Sequence, residues 1–322
     1  MTRVLLTGAA GFIGSLVAEA LVARGDEVVG IDNFDPFYPR PDKERNLRAL
    51  RRGAGFALHE LDILDTAALR ALLTPGTVVL HLAAKAGVRP SLADPVGYAR
   101  VNLTGTASVL EAARQAGVTR LVFASSSSVY GEATPSPFRE DAPAVQQISP
   151  YAASKRAGEL MLGAFAPHAG LRAAALRLFT VYGPRQRPDL AIHAFARRMH
   201  AGEPITVFGD GSQLRDFTYC DDIVAGIVAA TDWTARAPVG MDIFNLGGGH
   251  PETLSAVIDL LGRAMGCVPR LEYRPPMPGD VRLTAADIAK ARATLGYAPR
   301  TAFADGIRQF IVWFNDAIVR QS

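Results

Sequence analysis

The first 25 residues narrow the fold more than any other part of the chain. Residues 3–7, RVLLT, form a short apolar run that reads as a strand and stops at Gly8. Beyond it, Phe12, Ile13, Leu16, Val17, Ala20 and Leu21 recur at helical spacing, and Gly25 supplies the stop. A second apolar strand follows at once, EVVGID, residues 27–32. Two strands joined by one helix must lie parallel, because so long a connection crosses over the sheet and does not fold back as a hairpin. The alternation continues. FALHELD (56–62), TVVLHLAA (77–84), RLVFASSS (120–127) and LRAAALRLF (171–179) read as strands, with helical patterns near 66–73 and 97–116 between them. The expected fold is α/β, a Rossmann-type doubly wound parallel sheet covered by helices on both faces.

The turn between the first strand and the first helix carries Gly8, Gly11 and Gly14 in the spacing G-x-x-G-x-x-G. Without Cβ atoms the backbone can turn tightly, and a pyrophosphate can sit on the helix N-terminus. Gly8, Gly11, Phe12, Ile13 and Gly14 are therefore candidate cofactor residues. Asp32 ends the second strand, where a carboxylate can accept both ribose hydroxyls of an adenosine and repel a 2′-phosphate, so NAD is favoured over NADP. Asn33 beside it, and Asp62 with Ile63 after the third strand, extend the adenosine end. Leu82, Ala83 and Ala84 close the fourth strand with side chains small enough for a cofactor to cross the sheet, and His81 reads as a packed strand residue.

The later part of the chain is more broken. Prolines and glycines crowd 183–188, 202–211 and 269–279, and helices are expected at 190–201, 221–231, 252–265, 285–295 and 303–317. These elements read as a smaller C-terminal α/β lobe set on the carboxyl ends of the strands. The expected division is an NAD-binding domain over 1–180 with a returning segment near 215–250, and a mainly substrate-binding lobe over 181–322. A net charge of +3, with no long Lys/Arg run, argues against a nucleic-acid groove. The two cysteines, Cys220 and Cys267, and the six histidines show no disulfide framework and no metal-ligand spacing. No stretch approaches the roughly 20 apolar residues of a membrane span. The expectation is a cytoplasmic protein with no metal, no nucleic-acid partner and no membrane partner.

SPYAASK places Tyr151 and Lys155 one helical turn apart, directly after a proline. A free phenol titrates near ~10 and is a poor base at neutral pH, but a nearby ammonium stabilises the phenolate and lowers that value. Ser125 to Ser128 end the fifth strand, where a doubly wound sheet holds its ligands. A phenol, an ammonium and a hydroxyl beside a nicotinamide would move a proton while hydride moves.

TGAAGFIG, DNF, HLAAKAGVR, VNLTGT, SSSSVYG, SPYAASK, FTVYGP and RDFTY occur in the order seen in extended short-chain dehydrogenase/reductases. Over nearly its whole length the chain resembles their nucleotide-sugar epimerase/dehydratase branch. Through DNFDPFY, HLAAKAGVR and FTVYGPRQRPD it is most similar to the UDP-glucuronate 4-epimerases. The resemblance implies a catalytic Ser126, Tyr151 and Lys155, with Asn102 and Phe179 on the cofactor side. It implies Arg215, Asp280 and Arg274 on the nucleotide diphosphate and ribose, Arg89 among the substrate residues, and a homodimer built on the helices at 97–116 and 150–166. Dehydrating relatives carry an Asp-Glu pair where this chain has Ser127 and Ser128, and decarboxylating ones usually carry Glu at the second position. Oxidation at C4 followed by reduction on the opposite face then remains. Ser127, Ser128 and Thr180 could bond a sugar carboxylate, and Arg185 or Arg187 could pair with it. UDP-glucuronate is the expected substrate, with UDP-glucose the alternative and a non-catalytic NAD-binding protein a further one.

Overall fold

In a computed structural model the described residues are 1–275 and 283–319. Seven strands make one parallel sheet in the order β11-β6-β5-β4-β1-β2-β3. They are β1 (Arg3–Thr7), β2 (Glu27–Asp32), β3 (Phe56–Glu60), β4 (Val78–His81), β5 (Arg120–Ser126), β6 (Arg172–Leu178) and β11 (Gly240–Leu246). Among the described residues six short strands lie outside it: β7 (Thr180–Tyr182), β8 (Ile205–Phe208), β9 (Leu214–Arg215), β10 (Phe217–Tyr219), β12 (Glu252–Thr253) and β13 (Leu271–Arg274). They pair two by two, β10 with β7, β12 with β9 and β13 with β8.

Helices α1 (Phe12–Ala23), α2 (Arg40–Asn46), α3 (Thr66–Ala71), α4 (Val88–Ala93), α5 (Pro95–Tyr98), α6 (Gly105–Gln115) and α7 (Pro150–His168) come from the first half of the chain. Helices α8 (Ala191–His200), α9 (Cys220–Trp233), α10 (Leu254–Met265), α11 (Ala289–Leu295) and α12 (Phe303–Phe314) come from the second. The central strands are apolar on both faces, as a sheet covered on both sides requires: β4 is buried throughout and β5 over five successive residues. One apolar cluster joins one face of the sheet to α1, α9 and the C-terminal helices. A second fills the opposite face under α6 and α7.

The helical pattern expected near 97–116 is one helical rod in three parts, with a π-helical turn at Ala99–Thr104 between α5 and α6. The last helix ends at Phe314, and a further π-helical turn takes up 315–319. Strand β11 pairs in register with β6 from Gly240–Arg172 to Leu246–Leu178. Strand order reverses at β1, which lies between β2 and β4, and that switch point opens the crevice where doubly wound sheets take ligands.

Candidate active site

A cleft of about 880 Å³ runs along the carboxyl ends of the strands. The glycine turn forms one wall. Gly8 holds φ at +74°, and a Cβ there would sit 2.9 Å from the Ala83 nitrogen. A Cβ on Gly14 would come within 2.0 Å of the Gly8 carbonyl oxygen, so α1 can start only where its backbone meets the turn directly. Gly8, Gly11, Phe12, Ile13 and Gly14 all line the cleft, as do Asp32, Asn33, Ile63, Leu82, Ala83, Ala84 and Phe179.

Asp32 is more committed than its strand-end position suggested. Its carboxylate accepts from the Ala10 amide at 3.0 Å and the Phe34 amide at 2.9 Å, and the buried Lys43 ammonium stands 3.4 Å away. Lys43, which also lines the cleft, tempers the negative charge expected to reject a 2′-phosphate. Asp62 is not at the cleft wall. It accepts from Asn33 Nδ2 at 3.0 Å and the Leu64 amide at 2.9 Å, and so braces the loop that presents Ile63. Asn102 is also behind the wall. From the π-helical turn its Oδ1 accepts the Lys85 amide at 2.8 Å, and its Nδ2 donates to the Lys85 carbonyl and to Ser154 Oγ, both at 2.9 Å. A π-turn shifts the register of the side chains beyond it, which aims this amide at the 84–86 loop.

Helix α7 begins where its sequence dictates. The Ser149 side chain caps the Ala152 amide, and Pro150 takes the first helical position. Tyr151 therefore falls in the first turn, at the cleft, with Tyr98 packed edge-on at 6.2 Å between ring centres. Lys155 is 4% exposed, and its ammonium donates to the Ala124 carbonyl at 2.7 Å. Burial pushes it down to about 8, against the opposing charge of Glu159. Ser126 Oγ accepts from the Ser128 amide at 3.2 Å and from the Ser128 hydroxyl at 2.9 Å. With both lone pairs used, its own hydrogen is left to donate.

One expectation is corrected here. Lys155 was to lower the phenol of Tyr151, yet burial raises that phenol, and what opposes the rise is the Ser126 hydroxyl and the Arg187 charge. The two residues share a helix face, but the Lys155 head points at the end of β5. Below it lies a buried ionic knot. Glu159, 0% exposed, accepts from Arg177 Nε and Nη2 at 2.9 Å each, from Ser125 Oγ at 2.6 Å and from Arg156 at 2.8 Å.

On the substrate side, Arg89, Ser127, Ser128, Thr180, Arg187 and Arg215 line the cleft. Arg187 is paired bidentately with Asp189 at 2.9 Å and lies 5.4 Å from the Phe37 ring centre. Arg185 does not join it. Its guanidinium turns to α1, bonding both Glu19 oxygens at 2.8 and 2.9 Å and Ser15 at 3.2 Å, so it braces the first helix and is withdrawn as a carboxylate ligand. Arg274 is exposed on β13, where it pairs with Glu272 at 3.4 Å, and it does not line the cleft. Asp280 lies outside the described residues. Sequence reasoning missed Lys43, Phe37, Tyr38 and Thr284, all at the cleft wall. Lys43 sits on a seven-residue helix with no apolar period to reveal which face turns inward. Among the described residues, no group of three or more His, Cys, Asp or Glu could hold a metal ion.

A glycine turn built for a dinucleotide, with a Ser, a Tyr and a Lys lining the same cleft, defines a class of dinucleotide-dependent enzyme. The chain belongs to the NAD dependent epimerase/dehydratase family, whose match spans residues 4–247. It is 39% identical over 317 residues to UDP-glucuronate 4-epimerase of Thermodesulfobacterium geofontis, covering 98% of this chain and 96% of that one. It is 40% identical over 327 residues to UDP-glucuronate 4-epimerase 4 of Arabidopsis thaliana, covering 97% of this chain and 75% of that one. The crystal structure of UDP-glucuronic acid 4-epimerase from Bacillus cereus, in complex with UDP-glucuronic acid and NAD, matches at TM-score 0.92 and 37% identity, covering 98% of this chain and 99% of that one. UDP-glucose 4-epimerase from Thermotoga maritima, solved with UDP-glucose, matches at TM-score 0.88 and 32% identity over 98% of this chain and all of that one.

Proposed function

We infer that the chain is an NAD-dependent UDP-glucuronate 4-epimerase, interconverting UDP-glucuronate and UDP-galacturonate through a transient 4-keto sugar. The observation that carries the reading is the meeting of Ser126, Tyr151 and Lys155 in the cleft that also holds the glycine turn. NAD, when bound, takes a hydride from C4 and returns it, and its cationic ring favours the phenolate. Tyr151 removes the 4-hydroxyl proton and later gives it back. Ser126, restricted to donating, orients the sugar oxygen. Lys155 keeps two of its three hydrogens beyond the one used on Ala124, enough to fix the cofactor and support the phenolate.

The sugar is assigned from charge. Arg187 lines the same cleft as Tyr151, and its charge opposes the rise of that phenol. With the hydroxyls of Ser127, Ser128 and Thr180 it forms an anion-accepting wall suited to a C6 carboxylate. Residues 1–180, with much of the returning segment near 215–250, hold NAD, and 181–322 mainly hold the nucleotide sugar, with Arg215, at the edge of the returning segment, on its diphosphate. The protein acts in the cytoplasm as a homodimer through the outer faces of α6 and α7, where Leu160 is exposed. Among the described residues no helix is long and apolar enough to cross a membrane. The test is separate incubation with UDP-glucuronate and UDP-glucose, with products identified by NMR. Equal turnover of both sugars, or of neither, overturns the assignment.

A further inference from the structure

A chain of buried hydrogen bonds joins the glycine turn to the catalytic helix, and His81 is its middle. The Ala83 amide donates to Thr7 Oγ1 at 3.1 Å, and Thr7 Oγ1 lies 2.8 Å from His81 Nδ1. On the other side of the ring, His81 Nε2 lies 3.0 Å from Thr106 Oγ1, which donates to the Asn102 carbonyl at 2.6 Å. Asn102 then clasps the Lys85 backbone and Ser154 Oγ, and Ser154 donates to the Tyr151 carbonyl at 2.8 Å. His81, Thr106 and Asn102 are each 2% exposed and Thr7 is 0% exposed, so water does not compete for these bonds.

The polarity of the chain is fixed at its ends. An amide such as that of Ala83 can only donate and a carbonyl such as that of Asn102 can only accept. The Thr106 hydrogen is therefore spent on Asn102, and its oxygen must receive a hydrogen from His81 Nε2. The ring is neutral, since burial and then the Lys155 charge push it down to about 3. Nδ1 is then bare and accepts from the Thr7 hydroxyl. A single tautomer satisfies every group, and it presents an acceptor toward the cofactor floor and a donor toward Thr106 on α6, from which Asn102 and Ser154 carry the chain to the helix that holds Tyr151.

We propose that His81 is a positioning residue for the epimerisation, setting the Leu82–Ala84 floor through Thr7 and the start of α7 through Thr106 and Asn102. The inference rests on the NAD-dependent reading above, and it splits into two arms that can be cut separately. His81→Asn keeps an acceptor at the δ position and loses the ε donor. Its NAD dissociation constant stays within about twofold, while kcat falls about tenfold or more, the scale set by small misplacements of a reacting group. His81→Gln keeps a donor at the ε position and loses the δ acceptor. Its NAD dissociation constant rises about 3- to 10-fold, the worth of one interior hydrogen bond, with kcat at saturating NAD within about threefold.

The experiment measures NAD binding by titration of stripped protein, kcat at saturating NAD and melting temperature for both variants. Thr106→Val and Thr7→Val cut the same two arms without changing the ring and should reproduce the split if a ring variant folds poorly. The ¹⁵N spectrum of the wild type should show a neutral ring protonated at Nε2. Equal losses in both variants, a change in melting temperature alone, or an Nδ1-protonated ring overturns the proposal. Wild-type NAD binding and turnover, measured in the same series, report separately on the underlying reading.

Discussion

Replacing Lys155 with Met should make the NAD-free protein more stable while removing its turnover. Among the described residues the Lys155 head has no carboxylate in ion-pair contact, and it meets the Ala124 carbonyl at 2.7 Å and the Phe123 ring centre at 5.1 Å, with the Glu159 charge acting from further off. Burial brings it from 10.5 to about 8. At about 1.36 kcal/mol for each unit, holding the ammonium there costs about 3 kcal/mol below pH 8. Met keeps the unbranched length and removes the charge, losing one hydrogen bond of about 1 kcal/mol. The net gain is about 2 kcal/mol. Over 322 residues, at about 2.1 cal/mol/K for each, it raises the melting temperature by about 3 °C. The sign reverses with pH in a defined window. The folded value lies below the unfolded one, so between pH 8 and 10.5 the folded chain binds fewer protons and wild-type stability rises. The gap between variant and wild type should therefore be widest at pH 7, close near about pH 10 and change sign above it. Calorimetry of stripped protein at several pH values reads both. A variant that melts below the wild type at pH 7, or a gap that does not change with pH, would refute the argument that function keeps a costly charge in this place.

Tyr151→Phe should lower turnover by a factor of about 10² to 10⁴, the range for general acid–base groups, while the protein retains NAD, read by its absorbance after gel filtration. Gly14→Ala should abolish NAD retention, because the added Cβ meets backbone at 2.0 Å and the turn must open. Arg177→Met removes the bidentate partner of the buried Glu159 carboxylate, leaves it Arg156 and Ser125, and should cost about 3 kcal/mol at pH 7 by denaturant unfolding, the low end for a broken buried pair. Burial pushes Glu159 up and its bonds from Arg177, Ser125 and Arg156 more than reverse this, so that stability is present above the ordinary carboxylate range and fades as the pH falls. The Arg177→Met deficit should therefore hold above pH 4.5 and shrink as the pH falls below it. Ser128→Glu places a carboxylate against the bound sugar acid, and a UDP-pentose product detected by NMR is the expected outcome.

The cofactor half of the site was legible because it depends on local chemistry. Gly8, Gly11 and Gly14 each answer to a backbone constraint that neighbouring residues impose, and Asp32 follows from where a strand ends. The Ser149 cap and Pro150 place Tyr151 in a first helical turn before any tertiary contact is known. Side chains that reach across the fold were not legible in this way. Arg185 and Arg187 stand two apart in one loop with the same chemistry, and only the position of Glu19 on α1 decides which of them leaves the cleft. Lys43 reaches Asp32 from a short helix that opens with Pro39 and Pro41. Asn102 and Asp62 were expected at the cofactor, and their hydrogen bonds go to protein groups behind the wall.

The resting phenol bears on why the site is assembled from so many elements. A Tyr and a Lys at i and i+4 suggested a base already tuned by its neighbour. In the folded chain burial dominates, and Tyr151 is held above the usual phenol value. Two cations then have separate tasks. Arg187, on the loop after β7, acts on the phenol from the substrate side. Lys155 is drawn to the Ala124 carbonyl at the end of β5, where its remaining hydrogens can serve groups that arrive with the cofactor. A phenol kept protonated until both ligands are in place removes no proton from water or from a sugar bound without its oxidant. The chemistry is then confined to the ternary complex, the one state in which a keto sugar acid can be reduced before it loses CO₂.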